Sequence, residues 1–479
     1  MNYRIILYVL GNVLKVEALA MVLPLVCSLM YKEFDCVFVF IICILLCLIC
    51  GVLLSFKQPQ KREIYAKEGF VTAALSWIII SIFGSIPFII SGYIPNFIDA
   101  LFETASGFTT TGASILEKVE YLPKGILFWR SFTHWIGGMG VLVFLLAILP
   151  ASGGSNVYLM RAESPGPSVS KLVPRLRETA RILYGIYIFI TVILTLLLLI
   201  GKLDLFEALV TTFETVGTGG FAVRNSSAEG YSSYVQIVIN IFMLLCGVDF
   251  TAYYLIIMKK GKLALKSDEI KTYFLIYLTA TILITINCIG IYPSIFDTIK
   301  HSSFQVASIM TTTGFTTTDF NVWPSFSKTI IVLLMFIGAC AGSTGGGIKV
   351  SRIIIALKSI IKEIKISSHP RNIEKVTINK RVVEHETLRA INVYFISYIA
   401  IFTISLLIIS LDNLDFTTNF TAVAATMNNI GPGLSEVGPS ANYSIYSPLS
   451  TFVLTIDMLI GRLEIFPFLV LCSPYAWKK

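Results

Sequence analysis

Charge is scarce in this 479-residue chain: 14% of residues are Asp, Glu, Lys or Arg, while 55% are hydrophobic. With a mean hydropathy of +0.78, so little charge cannot keep a soluble surface wetted, which leaves a polytopic membrane protein. Histidine is nearly missing too. The four present (His134, His301, His369, His385) show no ligand or catalytic spacing, and His134 reads as a packing or interfacial residue. There is no His-Glu-x-x-His, no Gly-x-Ser-x-Gly and no plausible Cys/His pair, so an intramembrane enzyme is the weakest class. The nine cysteines fall almost wholly in apolar stretches. Cys43, Cys47 and Cys50 share a helical face, but no histidine or acid joins them at ligand spacing, so they read as small buried hydrophobes. No disulfide framework is implied. The apolar N-terminus lacks a small-residue cleavage pattern and reads as a retained helix.

The net charge of +8 matters for its placement. Basic residues collect in alternate loops between the apolar runs: 57–67, 161–181, 259–271, 349–389 and Lys478-Lys479 hold 26 of the 37 Lys and Arg. By the positive-inside rule these loops are cytoplasmic. Basic residues that flank spans do not make a nucleic-acid face. The polar stretch Ile361–Arg389 reads as a cytoplasmic connector, either topogenic and lipid-contacting or a dock for a soluble partner.

What the chain does have is a polar segment ending on glycine, four times over. The segments are Thr110-Thr111-Gly112-Ala113, Gly217-Thr218-Gly219-Gly220, Thr312-Thr313-Gly314-Phe315 and Asn429-Ile430-Gly431-Pro432. Taking Gly112, Gly219, Gly314 and Gly431 as equivalent, the intervals are 107, 95 and 117 residues. Each glycine follows an aspartate (Asp99, Asp204, Asp297, Asp415) by 13 to 17 residues. The period predicts an all-α membrane protein of four pseudo-symmetric helix–re-entrant loop–helix repeats around one pore. A two-helix N-terminal appendage (1–60) precedes them. The repeats are placed at 61–160, 161–262, 263–365 and, with the basic connector, 366–479. The aspartates suit N-caps or first-turn acids of half-helices. At about 10 residues a half-helix is too short to cross a 30 Å core and must re-enter. Re-entrant backbone survives only against protein or cavity water, so the loops line a pore, on the outer side by the charge rule.

One such glycine is commonly a helix C-cap. Four at matching places, at a depth where polar groups are costly, point to backbone carbonyls turned toward a cation, as in potassium filters. The filter candidates are Thr110, Thr111, Gly112, Thr218, Gly219, Thr312, Thr313, Gly314, Asn429, Ile430 and Gly431. Gly342, Ser343, Thr344, Gly345, Gly346 and Gly347 cannot remain helical and predict a break in the second helix of unit three. Lys349 does not directly follow the last glycine, which speaks against a phosphate loop. Arg462, inside the last apolar helix, costs about 2.5–3.5 kcal/mol at a bilayer centre. It must face the pore or pair with an acid, with Asp457, Glu464 and Asp249 as candidates.

Five stretches in this order closely resemble the TrkH family of bacterial potassium-uptake subunits, cousins of the KtrB proteins. They are Thr109–Ala113, His134–Gly140, Ala341–Gly347, Asn428–Gly433 and Leu459–Glu464. The resemblance covers essentially the whole chain. It implies a pseudo-fourfold channel-like fold in the inner membrane and a homodimer with one pore per chain. It also implies a cytosolic ring of nucleotide-binding TrkA-type subunits, K+ as the transported ion, and no organic cofactor. In the family, the position of Gly342–Gly347 holds an intramembrane gating loop beneath the filter, and Arg462 fits a positive charge in the permeation path. No filter loop has Gly-Tyr-Gly, which in the family goes with a less discriminating filter open to Rb+ and Na+. A proton- or sodium-coupled symporter, another user of broken helices, is the alternative class.

Overall fold

The computed structural model describes residues 1–59, 65–140, 176–371 and 374–477. The basic residues Lys61, Arg62, Arg161, Lys171, Arg175, Lys478 and Lys479 lie outside these, as does the far end of the helix expected near 125–149. Nearly all the regular secondary structure among the described residues is helical, with one antiparallel hairpin of two-residue strands, Thr377–Ile378 against Arg381–Val382.

Six helices among the described residues are long and apolar enough to span a membrane. Two are N-terminal: Tyr3–Met30, broken at Met21, and Phe34–Ser55. The others are Ala66–Ile90, Ala180–Ile200, Asp268–Asn287 and His385–Asp412. Each of these four leads a unit of the same order. A half-helix follows (Phe97–Phe108, Leu205–Gly217, Ile295–Met310 or Phe416–Met427), then a loop, then a trailing helix. Outward faces of the leading helices carry exposed Phe189, Leu275 and Ile396, as bilayer contact requires.

Local chemistry starts the half-helices. Asp204 and Asp415 are N-caps, accepting from the amides of Glu207 and Thr418, while Asn96 and Ser294 cap the other two, with Asp99 and Asp297 in the first turn.

The trailing helices correct one expectation. They are not single spans interrupted only in unit three. Lys124–Gly138, Ser233–Cys246, Ser325–Ile337 and Pro448–Arg462 hold 15, 14, 13 and 15 residues, and all stop at corresponding places. After Cys246 the chain turns by 89° into Phe250–Ile257, with Asp249 capping the new helix through the Thr251 amide at 2.8 Å. After Arg462, Glu464 and Ile465 take positive φ (53° and 73°) before Phe466–Cys472 begins. In unit three, residues 338–349 are non-helical before Val350–Ser368.

The N-terminal helices pack on unit one and share its apolar core. The two N-terminal helices cross at Gly11 and Gly51, where a Cβ on Gly11 would stand 2.6 Å from the Gly51 carbonyl oxygen. Glu33 caps the trailing helix of unit one, accepting from the amides of Lys124 at 2.7 Å and Gly125 at 2.9 Å.

Candidate functional site

Each half-helix ends in the same way. The amides of Thr111, Gly219, Thr313 and Ile430 donate to the carbonyls of Ser106, Glu214, Ser308 and Ala425, five residues back, at 2.8 to 2.9 Å. That closure requires a left-handed residue just before the donor. Thr110, Thr218, Thr312 and Asn429 supply it, with φ of 56°, 55°, 57° and 56°. Asparagine tolerates this conformation, but for a β-branched threonine it is a true outlier costing about 1–2 kcal/mol. Three such residues at equivalent places mark backbone held in shape by its surroundings.

Two residues further on, Gly112, Gly220, Gly314 and Gly431 have φ of 79°, 81°, 87° and 98°. This corrects the register of the second loop. Gly220, not Gly219, is the equivalent of the other three glycines, and Gly219 stands where Thr111, Thr313 and Ile430 stand. Adjacent glycines are equally permissive, so only the tertiary contacts reveal the register.

Those contacts close a ring. A Cβ on Gly112 would strike the carbonyl of Gly219, one on Gly220 that of Thr313, and one on Gly314 that of Ile430. One on Gly431 would lie 2.8 Å from the Thr111 oxygen. Loop one therefore abuts two, two abuts three, three abuts four, and four returns to one. Backbone packed this closely at positive φ admits only glycine. The four glycines also line one cavity of about 110 Å³, with Arg130 and Tyr443 in its wall. Arg130 is held there by Glu103 at 2.6 Å, both side chains almost fully buried.

Side chains brace the ring from behind. The hydroxyls of Thr109 and Thr111 are 2.7 Å apart, as are those of Thr311 and Thr313. Loop two has no hydroxyl at Gly219, and the buried His134 ring stands where a Cβ would be. His134 also stacks on Phe221 at 4.3 Å between centroids. It is therefore a wall of loop two, a role that its isolated position in an apolar helix does not signal.

The segment Gly342–Gly347 lies against the same loops. The Gly346 amide donates to Thr312 Oγ1 at 2.7 Å, and a Cβ on Gly346 would stand 2.8 Å from the Asn428 oxygen. Thr344 Oγ1 donates to the Cys246 carbonyl at 3.2 Å, and the Phe250 amide to the Gly342 carbonyl at 3.0 Å, tying the segment to the bend in unit two. Lys349, one of the basic residues of 349–389 and a poor fit to a phosphate loop, donates to the Gly345 carbonyl at 2.6 Å.

Arg462 joins this segment to loop one. Nη1 donates to Thr344 O at 2.9 Å and to Thr110 Oγ1 at 3.2 Å, and Nη2 to the carbonyls of Gly137 and Gly138, the latter at 3.1 Å. The three acids considered as partners bond elsewhere: Glu464 with Arg352, Asp457 with Ser405, and Asp249 with the Thr251 amide. Four half-helix C-termini, negative ends of their dipoles, thus surround a ring of carbonyl-rich loops, with a glycine segment and a guanidinium packed against it. Such a ring can replace the water around a dehydrated cation.

Comparison with known proteins agrees with this geometry. The TrkH family model, described as a cation transport protein, matches residues 37–478. The chain is 34% identical to the Trk system potassium uptake protein TrkH of Vibrio parahaemolyticus, over 100% of both chains. It is 35% identical to the protein of that name from Escherichia coli K12, also over 100% of both, and 32% identical to TrkG of the same strain over 100% of this chain and 99% of the relative. The crystal structure of the potassium transporter TrkH from Vibrio parahaemolyticus superposes with a TM-score of 0.90 at 31% identity, covering 100% of each chain. Full-length coverage by fold and by sequence places this chain in the TrkH family of cation transport proteins.

Proposed function

We infer that this chain is the multi-pass, potassium-translocating membrane subunit of a Trk-type uptake system. The observation that carries this is the closed ring in which each loop's glycine abuts the carbonyl of the next loop. K+ sheds its water for carbonyl and hydroxyl oxygens of Thr110–Gly112, Thr218–Gly220, Thr312–Gly314 and Asn429–Gly431. The units placed at 61–160, 161–262, 263–365 and 366–479 act as four pore repeats, with 1–60 as an N-terminal brace. Gly342–Gly347 and Arg462 form the gate: a backbone plug backed by a positive charge that opposes a permeating cation. The filter loops face outside, across the bacterial inner membrane. The complete system is a homodimer of this chain on a cytosolic ring of TrkA-type nucleotide-binding subunits, and its filter is open to Rb+ and Na+ as well as K+.

The test is flux through purified protein in liposomes under opposed K+, Na+ and H+ gradients. The reversal potential should follow the K+ gradient and ignore the proton gradient. A potential that moves with pH at fixed K+ would establish a coupled symporter instead. In parallel, the chain expressed with a matching regulatory subunit should restore growth of an uptake-deficient bacterium at low potassium.

A further inference from the structure

Glu269 stands in the first turn of the leading helix of unit three, distant in sequence from every loop of the ring. Its Oε1 accepts from the Ala341 amide at 2.8 Å and from the Ser351 amide at 3.0 Å. Those amides flank Gly342–Gly347, one on the residue before it and one in the first turn of the helix after it. A single carboxylate oxygen therefore pins both ends of the glycine segment, through charge-assisted bonds that are roughly twice as strong as neutral ones.

The residue before it faces the basic connector. Asp268 and Asn379 pair reciprocally, the Asp268 amide donating to Asn379 Oδ1 at 2.7 Å and the Asn379 amide to Asp268 Oδ2 at 2.9 Å. Asn379, left-handed at φ 50°, is in the turn of the Thr377–Val382 hairpin. Lys358, on the helix after the glycine segment, reaches Asp268 at 3.5 Å and the Thr377 carbonyl at 2.8 Å. Asp268 and Glu269 are consecutive in one helical turn, so displacing the hairpin displaces the carboxylate that holds the segment.

We propose that Glu269 is a positioning residue for the gate, a latch on both flanks of Gly342–Gly347, and that the 376–383 hairpin operates it through Asn379 and Asp268. This rests on the gating reading of that segment. The coupling runs from the hairpin through the Asn379–Asp268 hydrogen bonds, along the backbone shared by Asp268 and Glu269, to the Glu269 bonds on either side of a partly buried segment.

The experiment is Rb+ flux through the full chain in liposomes, without any other protein. Glu269→Ala removes both of these bonds and should raise flux at least about tenfold, the scale of losing even one hydrogen bond to a charged group. Glu269→Gln, which keeps an acceptor oxygen but loses the charge, should raise flux less than alanine does. Glu269→Asp, a methylene short of reaching both amides, should raise flux as alanine does and serves if the alanine variant does not assemble. Adding Glu269→Ala to a Gly342–Gly347 deletion should raise flux no further. Asn379→Ala should speed amide exchange at Ala341 and Ser351. If the deletion raises flux but folded Glu269→Ala and Glu269→Asp do not, the latch is wrong while the gate stands. If the deletion itself leaves flux unchanged, the gate fails and the latch with it. Unchanged exchange in Asn379→Ala overturns the hairpin's part.

Discussion

Asn429 reaches back 318 residues to Thr111, donating through Nδ2 to its hydroxyl at 2.9 Å and also to the Met458 carbonyl at 2.9 Å. The last loop is thereby fastened to the first, and the ring is closed by side chains as well as by backbone contact.

If that fastening holds the ring's dimensions, Thr111→Val, which keeps the shape but not the hydroxyl, should weaken K+ over Na+ discrimination. Asn429→Ala should do the same. The double variant should fall short of the sum by about 1 kcal/mol, the net worth of one buried hydrogen bond. Competition of Na+ with Rb+ uptake in all three variants is the measurement, and strict additivity counts against the bond.

The register of loop two can be tested by rescue. Gly219→Ala places a methyl against a side chain, the His134 ring, whereas Gly220→Ala places one against backbone, the Thr313 carbonyl. Adding His134→Ala should restore much of the uptake lost in Gly219→Ala and none of that lost in Gly220→Ala. Equal rescue of both would return the filter glycine to position 219.

Arg462→Ala removes every hydrogen bond joining the guanidinium to Thr110, Thr344, Gly137 and Gly138. Losing even one hydrogen bond to a charged group, about 1.5–3 kcal/mol, multiplies an open population by about 10 to 150. Flux without the regulatory ring should rise accordingly. Arg462→Lys keeps the charge but not the fork, so it should fall between alanine and the unmodified chain. Liposome flux at matched protein content decides it.

At the N-terminal crossing, Gly11→Val forces apart helices whose backbones are in contact. Overpacking of this kind costs about 1–3 kcal/mol. The melting temperature in detergent should fall by several degrees, while ion selectivity stays as it was because the ring is elsewhere. A selectivity change would mean that the N-terminal helices shape the filter.

How much of this was legible depends on the range of the interaction. The caps of Asp204 and Asp415 and the unwinding at Gly342–Gly347 are decided within a few residues, and the chain spells them out. The breaks after Cys246 and Arg462 carry no cluster of breakers: Gly247 stands alone after an apolar run, and Leu463 lies between Arg462 and Glu464. Only Pro467 hinted at the second. Gly220 was hidden behind its neighbour Gly219. Glu269 and Lys349 looked like ordinary flanking charges, since their carbonyl and amide partners belong to backbone and leave no complementary residue type to find.

The sequence by itself determined that this chain lives in a membrane and that a short capped helix, with a glycine a few residues past its end, recurs four times along it. Those are consequences of hydropathy, period and local backbone preference, which act along the chain. Only the tertiary structure decided which glycine meets which carbonyl, that His134 backs Gly219, and that Arg462 rests on carbonyls while its neighbouring acid Glu464 pairs with Arg352. Backbone groups offer the same donor and acceptor at every residue. Their pairing across a ring is therefore set by how the four units fit together.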